Sequence, residues 1–176
     1  RSQKIHFFLL LTVSIVLVIF IGFRYSVGGD WATYLNVLEK HRYFDFYTAF
    51  STNEFLWTYL NVLSNYFNFG IVGINVFAAL VFIISLKVFN KKFSNNSYIY
   101  MLAFPYYILL VSMGFTRQCL ALSFLLLSLS VDKPFKDIKI LLLLTVGIFF
   151  HNSLIFVCWI PFLYKPLISK FKLFMI

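Results

Sequence analysis

Apolar residues in this chain come in unbroken blocks instead of alternating with polar ones. The first is "IHFFLLLTVSIVLVIFIGF", Ile5 to Phe23, and others run from about Ile71 to Leu86, Tyr98 to Met113, Phe115 to Val131 and Ile138 to Tyr164. Roughly twenty helical residues cross a hydrocarbon core, so each block predicts a spanning helix, with Pro105 bending the third. His151-Asn152 interrupts the last block, which fits one crossing or two short tilted segments meeting at His151. The exception is the mixed stretch Arg24–Phe69, which holds four of the six acidic residues. In "DWATYLNVLEK", Trp31, Tyr34, Leu35 and Leu38 fall at helical spacing behind Asp30 as N-cap. In "NEFLWTYLNVLSNYF", Phe55, Leu56, Tyr59, Leu63 and Tyr66 share a face, with Asn53 as cap. Both segments are too short and polar to span. They predict amphipathic helices lying on the membrane surface, apolar face down.

The pattern therefore predicts an all-α fold: a polytopic transmembrane helical bundle in a single membrane domain, with interfacial helices in the first outer loop. Composition agrees, since 61% of residues are hydrophobic and only 12% charged. A soluble domain of this length needs more charge on its surface. The net charge of +9 would suggest nucleic acid in a soluble protein. Here the lysines fall in short connections, where they set orientation. Arg1 and Lys4, then Lys87, Lys91 and Lys92, then Lys133, Lys136 and Lys139 land on one side if each block crosses once. That side is expected to be cytoplasmic, leaving Arg24–Phe69 and the Met113–Arg117 turn outside. Cys119 and Cys158 both lie in apolar runs and imply neither a disulfide nor a metal site. The chain begins without methionine and ends as another apolar run starts, so it is read as part of a longer protein.

Five polar clusters then fall near the outer face: Arg24, Asp30, Glu54, Arg117-Gln118 and His151-Asn152-Ser153. Ionisable groups at membrane depth are costly and mark sites or pathways. Structural readings stand beside the functional ones. Arg24 suits a snorkelling boundary residue, carboxylates at helix N-termini are favoured by the dipole whatever their function, and His151 suits helix packing. Arg117 sits in a turn too short to carry it far into water, which implies a polar cavity or pairing with Asp30 or Glu54. Gly28-Gly29 lets the backbone approach a ligand before a helix begins, and a helix N-terminus flanked by two arginines suits an anion such as pyrophosphate. Trp31, Tyr34, Trp57 and Tyr59 offer flat surfaces for sugar rings, or an interfacial aromatic belt. No nucleotide-binding, zinc or catalytic-serine motif is present.

"FRYSVGGDWATY" resembles the Arg-…-Gly-x-Asp-x-x-x-Tyr segment of the EpsG-like polysaccharide polymerases, a family that includes Wzy-type O-antigen, capsule and exopolysaccharide polymerases. "NEFLWTYLN", "TRQCLALS" and "FFHNSLIF" resemble that family's later segments, in the same order. The resemblance covers nearly the whole chain and corresponds to the family's N-terminal half. It implies a glycosyltransferase in the bacterial cytoplasmic (inner) membrane that joins undecaprenyl-pyrophosphate-linked oligosaccharide repeat units at the outer face. Flippase and chain-length-regulator proteins would be its partners, together with membrane lipid. Asp30, Glu54 and His151 are then the candidates for the base. Arg24, Gly28, Gly29, Tyr34, Arg117 and Gln118 are the candidates for holding pyrophosphate or glycan. No cofactor is demanded, although a carboxylate pair near pyrophosphate would suit a divalent metal. The alternative from a different class is a transporter or flippase for lipid-linked sugars or a small solute, with Arg117 and His151 lining a mid-membrane path.

Overall fold

The computed structural model describes residues 2–93, 98–131 and 137–163, and side chains within 8–92, 100–131 and 137–163. Lys133, Lys136 and everything after Leu163 lie outside the described residues. The described chain is all helical. Helix α1 spans Ser2–Gly22, α2 Trp31–Lys40, α3 Phe46–Phe50, α4 Phe55–Tyr66, α5 Gly70–Phe93, α6 Tyr98–Ala103, α7 Thr116–Leu129 and α8 Ile138–Phe150. Helix α6 continues directly into a wide π-type segment, Phe104–Ser112, with Pro105 in its first turn. Pro105 has no N–H to give to the narrower ladder, and the wider turn accommodates that loss.

The long helices run up and down. Helix α5 packs between α1 and α7, and α7 packs against α8. Ile21, Phe82, Ile83, Ile108 and Cys119 form one apolar core, and Tyr34, Trp57, Ile74, Leu120 and Phe150 form a second beneath the short helices. Among the described residues, Gly70–Lys92 is the one helix long and apolar enough to cross a membrane by length and composition, with a mean hydropathy of 2.4. Within the residues whose side chains are described, the other apolar helical stretches run 10 to 17 residues, α1 among them as Phe8–Gly22. Helix α8 stops at His151, whose extended backbone leads into a 3-10 turn over Asn152–Val157.

Helix α4 packs by a face the apolar pattern did not indicate. Helix α4 buries Trp57, Thr58, Asn61, Val62 and Ser64 against the protein, whereas Phe55, Leu56, Tyr59 and Leu63 are only partly covered and Tyr66 is exposed. The inward face is partly polar, and some of its groups are paired while Asn61 Oδ1 is buried without a partner. Asn61 donates to the Trp57 carbonyl at 2.8 Å and Ser64 to the Gly70 carbonyl at 2.6 Å. The helix starts after Glu54, so Asn53 is not its cap. In α2, Tyr34 and Leu38 are buried while Leu35 faces out. The sequence did not indicate α3 at all; it is held by the Asp45 carboxylate accepting from the Thr48 N–H at 2.7 Å.

Candidate functional site

Chain direction brings the loop after α1, the N-termini of α2, α4 and α7, and the C-terminus of α8 to one end of the bundle. Lys91 and Lys92 close α5 at the opposite end. At the polar end, the Glu54 carboxylate is the meeting point. Its Oε2 accepts from Arg117 Nη1 at 3.1 Å, and its Oε1 lies 3.0 Å from His151 Nδ1 and accepts from the Asn152 N–H at 3.0 Å. Glu54 stands at the N-cap position of α4 but caps nothing with its side chain. Its two oxygens are committed instead to residues 63 and 97 positions further along. Burial tends to raise the carboxyl pKa. The hydrogen bonds from His151 and the Asn152 N–H, with the Arg117 charge, outweigh burial and hold it below the ordinary glutamate value.

Arg117 also lies against two aromatic rings. Its guanidinium carbon lies 5.6 Å from the Tyr34 ring centre and 5.9 Å from that of Trp57, within the range of cation–π attraction. Tyr34 and Trp57 pack on each other with centroids 5.3 Å apart. Tyr34 also donates its hydroxyl to Asp30 Oδ2 at 3.2 Å and receives the Arg117 backbone N–H at 3.5 Å. Burial pushes the Tyr34 phenol pKa up, so it stays a donor to Asp30. Asp30 occupies the N-cap position of α2 without a side-chain capping bond. Its carboxylate therefore does not serve as the helix cap that its position suggests. Two donors in the cluster, Arg117 Nε and Trp57 Nε1, are buried without an acceptor. Buried donors left unpaired are rare in native interiors.

Arg24 is placed differently from the rest. It is buried and does not snorkel: Nη1 donates to the Ile21 and Ser112 carbonyls at 3.2 and 2.9 Å, and Nη2 to Thr116 Oγ1 at 2.6 Å. Thr116 passes the chain on to Asn75 Oδ1 at 3.3 Å. Arg24 thus ties the end of α1 to the turn from which α7, and with it Arg117, departs. Gly28 reinforces the same junction. It has φ +104°, and a Cβ there would lie 2.5 Å from the Met113 carbonyl oxygen and 2.8 Å from Gly114 Cα. Gly29 faces open space and Gln118 is exposed.

The structure accordingly gathers Asp30, Tyr34, Glu54, Arg117 and His151, and sets Arg24 and Gly28 behind them as supports for the α7 start. Sequence reasoning did not single out the Asn152 N–H or Trp57 as a platform for Arg117. The available signal for Trp57 was its place three residues after Glu54, one helical turn along. Among the described residues no three His, Cys, Asp or Glu side chains come together. A family model described as the EpsG family matches residues 7–176. No curated protein and no solved structure matches. The family match ties the chain to polysaccharide biosynthesis and, with the apolar α5, to a membrane.

Proposed function

Because this chain belongs to the EpsG family of polysaccharide polymerases, we propose that it joins lipid-linked oligosaccharide repeat units at the outer face of the bacterial cytoplasmic membrane. On this reading its apolar helices form a multi-pass bundle with the polar end outward. The observation that carries the reading is one carboxylate, Glu54, holding both a cation and an imidazole.

The chemistry follows from which atoms remain open. With Nδ1–H donated to Glu54, the His151 lone pair is on Nε2, and the carboxylate stabilises the imidazolium formed when that nitrogen takes a proton. The acceptor sugar hydroxyl gives its proton to Nε2 as its oxygen attacks the anomeric carbon of the donor chain. The bond from that carbon to the phosphate oxygen breaks, and the electron pair leaves on undecaprenyl pyrophosphate. Arg117, lying against the packed Tyr34–Trp57 pair, supports that developing charge with its planar set of N–H groups. Asp30, one oxygen on Tyr34 and beside the Arg117 backbone, completes the polar rim.

The test is complementation of a polymerase-deleted strain by the full-length protein, reading surface glycan by gel and lipid-linked units by extraction. A long ladder restored by wild type and single lipid-linked units outside the membrane with His151→Ala support polymerisation. Lipid-linked units trapped inside would overturn it in favour of transport.

A further inference from the structure

A second pocket lies at the other end of α4. It encloses about 290 Å³ beneath the 3-10 turn His41–Tyr43, at the small end of the range for small-molecule sites (roughly 300 to 1,000 Å³). Its walls combine ring faces with hydrogen-bonding groups of both kinds. Phe46 and Tyr66 stand with centroids 6.4 Å apart, and both are substantially exposed. Arg42 brings donors, tempered by an exposed pair with Glu39 at 3.5 Å. Asp45 spends Oδ1 on the Thr48 N–H, and Asn65 spends its Nδ2 on the Leu38 carbonyl at 2.8 Å. Asp45 is thus oriented by Thr48, and Asn65 by one bond that leaves its amide oxygen open. His41 is nine-tenths buried, lines the pocket, and has an Nδ1 with no partner. Burial, reinforced by Lys40, holds its pKa below the ordinary histidine value, so it enters as a neutral group.

One cation, one carboxylate, a neutral imidazole and an amide between aromatic faces do not make an anion trap. A polyhydroxylated, uncharged ring fits them, with C–H faces against Phe46 or Tyr66 and hydroxyls toward Asp45, Asn65 and Arg42. We propose that this pocket is a glycan subsite, holding a sugar of the chain under extension at a distance from the bond being made. Resting on the polymerase reading, it has a further consequence in the geometry. From Glu54 to Asn65 is eleven residues of helix, roughly 16 Å at the helical rise, so α4 would act as a spacer between the reacting end of a glycan and a ring several sugars away. A polymer gripped at two points stays bound between additions.

The test uses the full-length protein in nanodiscs and length-fractionated polysaccharide fragments stripped of lipid. Arg42→Ala with Tyr66→Ala removes an exposed donor and an exposed ring, and Asp45→Asn keeps the capping oxygen of α3 while losing the charge. The expected result is about tenfold weaker fragment binding, equivalent to about 1.4 kcal/mol, and shorter polymer, with the first coupling of two units at the wild-type rate. Variants that bind fragments and elongate like wild type overturn the subsite while leaving the polymerase reading intact. Loss of coupling in wild type itself overturns the polymerase reading instead. Competition by phosphatidylglycerol vesicles, with none by glycan fragments, makes the pocket a lipid headgroup site and overturns the proposal.

Discussion

Replacing Glu54 by glutamine tests the arrangement of the site most directly, because the two side chains have nearly the same shape. Glutamate receives donors on both oxygens: Arg117 on one, His151 and the Asn152 N–H on the other. Glutamine has a single oxygen. Turned toward His151 and Asn152, it points its NH2 at the Arg117 guanidinium; turned toward Arg117, it sets NH2 against the Asn152 N–H and forces the proton of His151 onto Nε2. The first orientation strands a cation and the second abolishes the base. Stability falls between two known limits, since the Glu54 and Arg117 side chains are 18% and 29% exposed. Exposed pairs contribute about 0 to 1 kcal/mol, and breaking a fully buried pair costs about 3 to 5, so roughly 2 kcal/mol is expected here. Activity is expected to fall much further, by about 10⁴, the effect of a wrong tautomer in a triad. His151→Ala should lose a similar amount, and the double variant little more, because the two residues act as one unit. The assay is coupling of purified lipid-linked units by the full-length protein, with membrane abundance measured in parallel. Normal polymer from Glu54→Gln at normal abundance would refute the orientation argument.

Arg117→Lys keeps a charge for Glu54 but not the planar guanidinium against Tyr34 and Trp57, so polymer length should drop nearly as far as with Arg117→Ala; full rescue by lysine would mean that charge alone suffices. Gly28→Ala combines a positive φ with a Cβ pressed on Met113 and Gly114, and should cost about 1 to 3 kcal/mol, read as lower melting temperature in detergent; unchanged melting would show the loop is not bolted to the turn. Asp30→Asn retains an oxygen for Tyr34 and should leave abundance normal and most coupling intact, whereas a dead enzyme of normal abundance would move the base from His151 to Asp30. The Glu54 pKa is depressed by folding, so its contribution is fully present above the ordinary glutamate range and is lost as pH falls through the folded value. Melting temperature should therefore hold from neutrality down to that range and decline below it, and Glu54→Gln should flatten that step; an identical decline in the variant would place the titration elsewhere.

Block hydropathy indicated the long helices because burial in an apolar surrounding leaves its mark on every residue of a segment. It also placed α2, whose Tyr34 and Leu38 turn inward as their spacing suggests. The same logic misdirected α4. Its inward face carries Thr58, Asn61 and Ser64, and a hydropathy pattern cannot see that the Thr52 hydroxyl and backbone carbonyls await them. The wide turn at Phe104–Ser112 was equally hidden, since Pro105 announces a lost hydrogen bond but not how the helix adjusts. For the site, an unpaired Arg117 in a short turn implied a carboxylate partner, and Glu54 fills that place. Sequence set Arg24 apart from Arg117 as a snorkelling boundary residue, but only the path of the chain shows Arg24 buried against carbonyls and Arg117 facing aromatic rings.

The separation of Glu54 from its partners has a consequence for how the protein is made. Arg117 follows it by 63 residues and His151 by 97. At about 5 to 20 residues per second of synthesis, the carboxylate exists for roughly 5 to 20 seconds before its imidazole is made. Until Arg117 is made, α4 carries an uncompensated acid. Arg117 arrives first and settles the charge as α7 is laid down. The residue assigned the proton transfer comes last, so a growing chain can take up its charge balance early and stays chemically silent until α8 is complete.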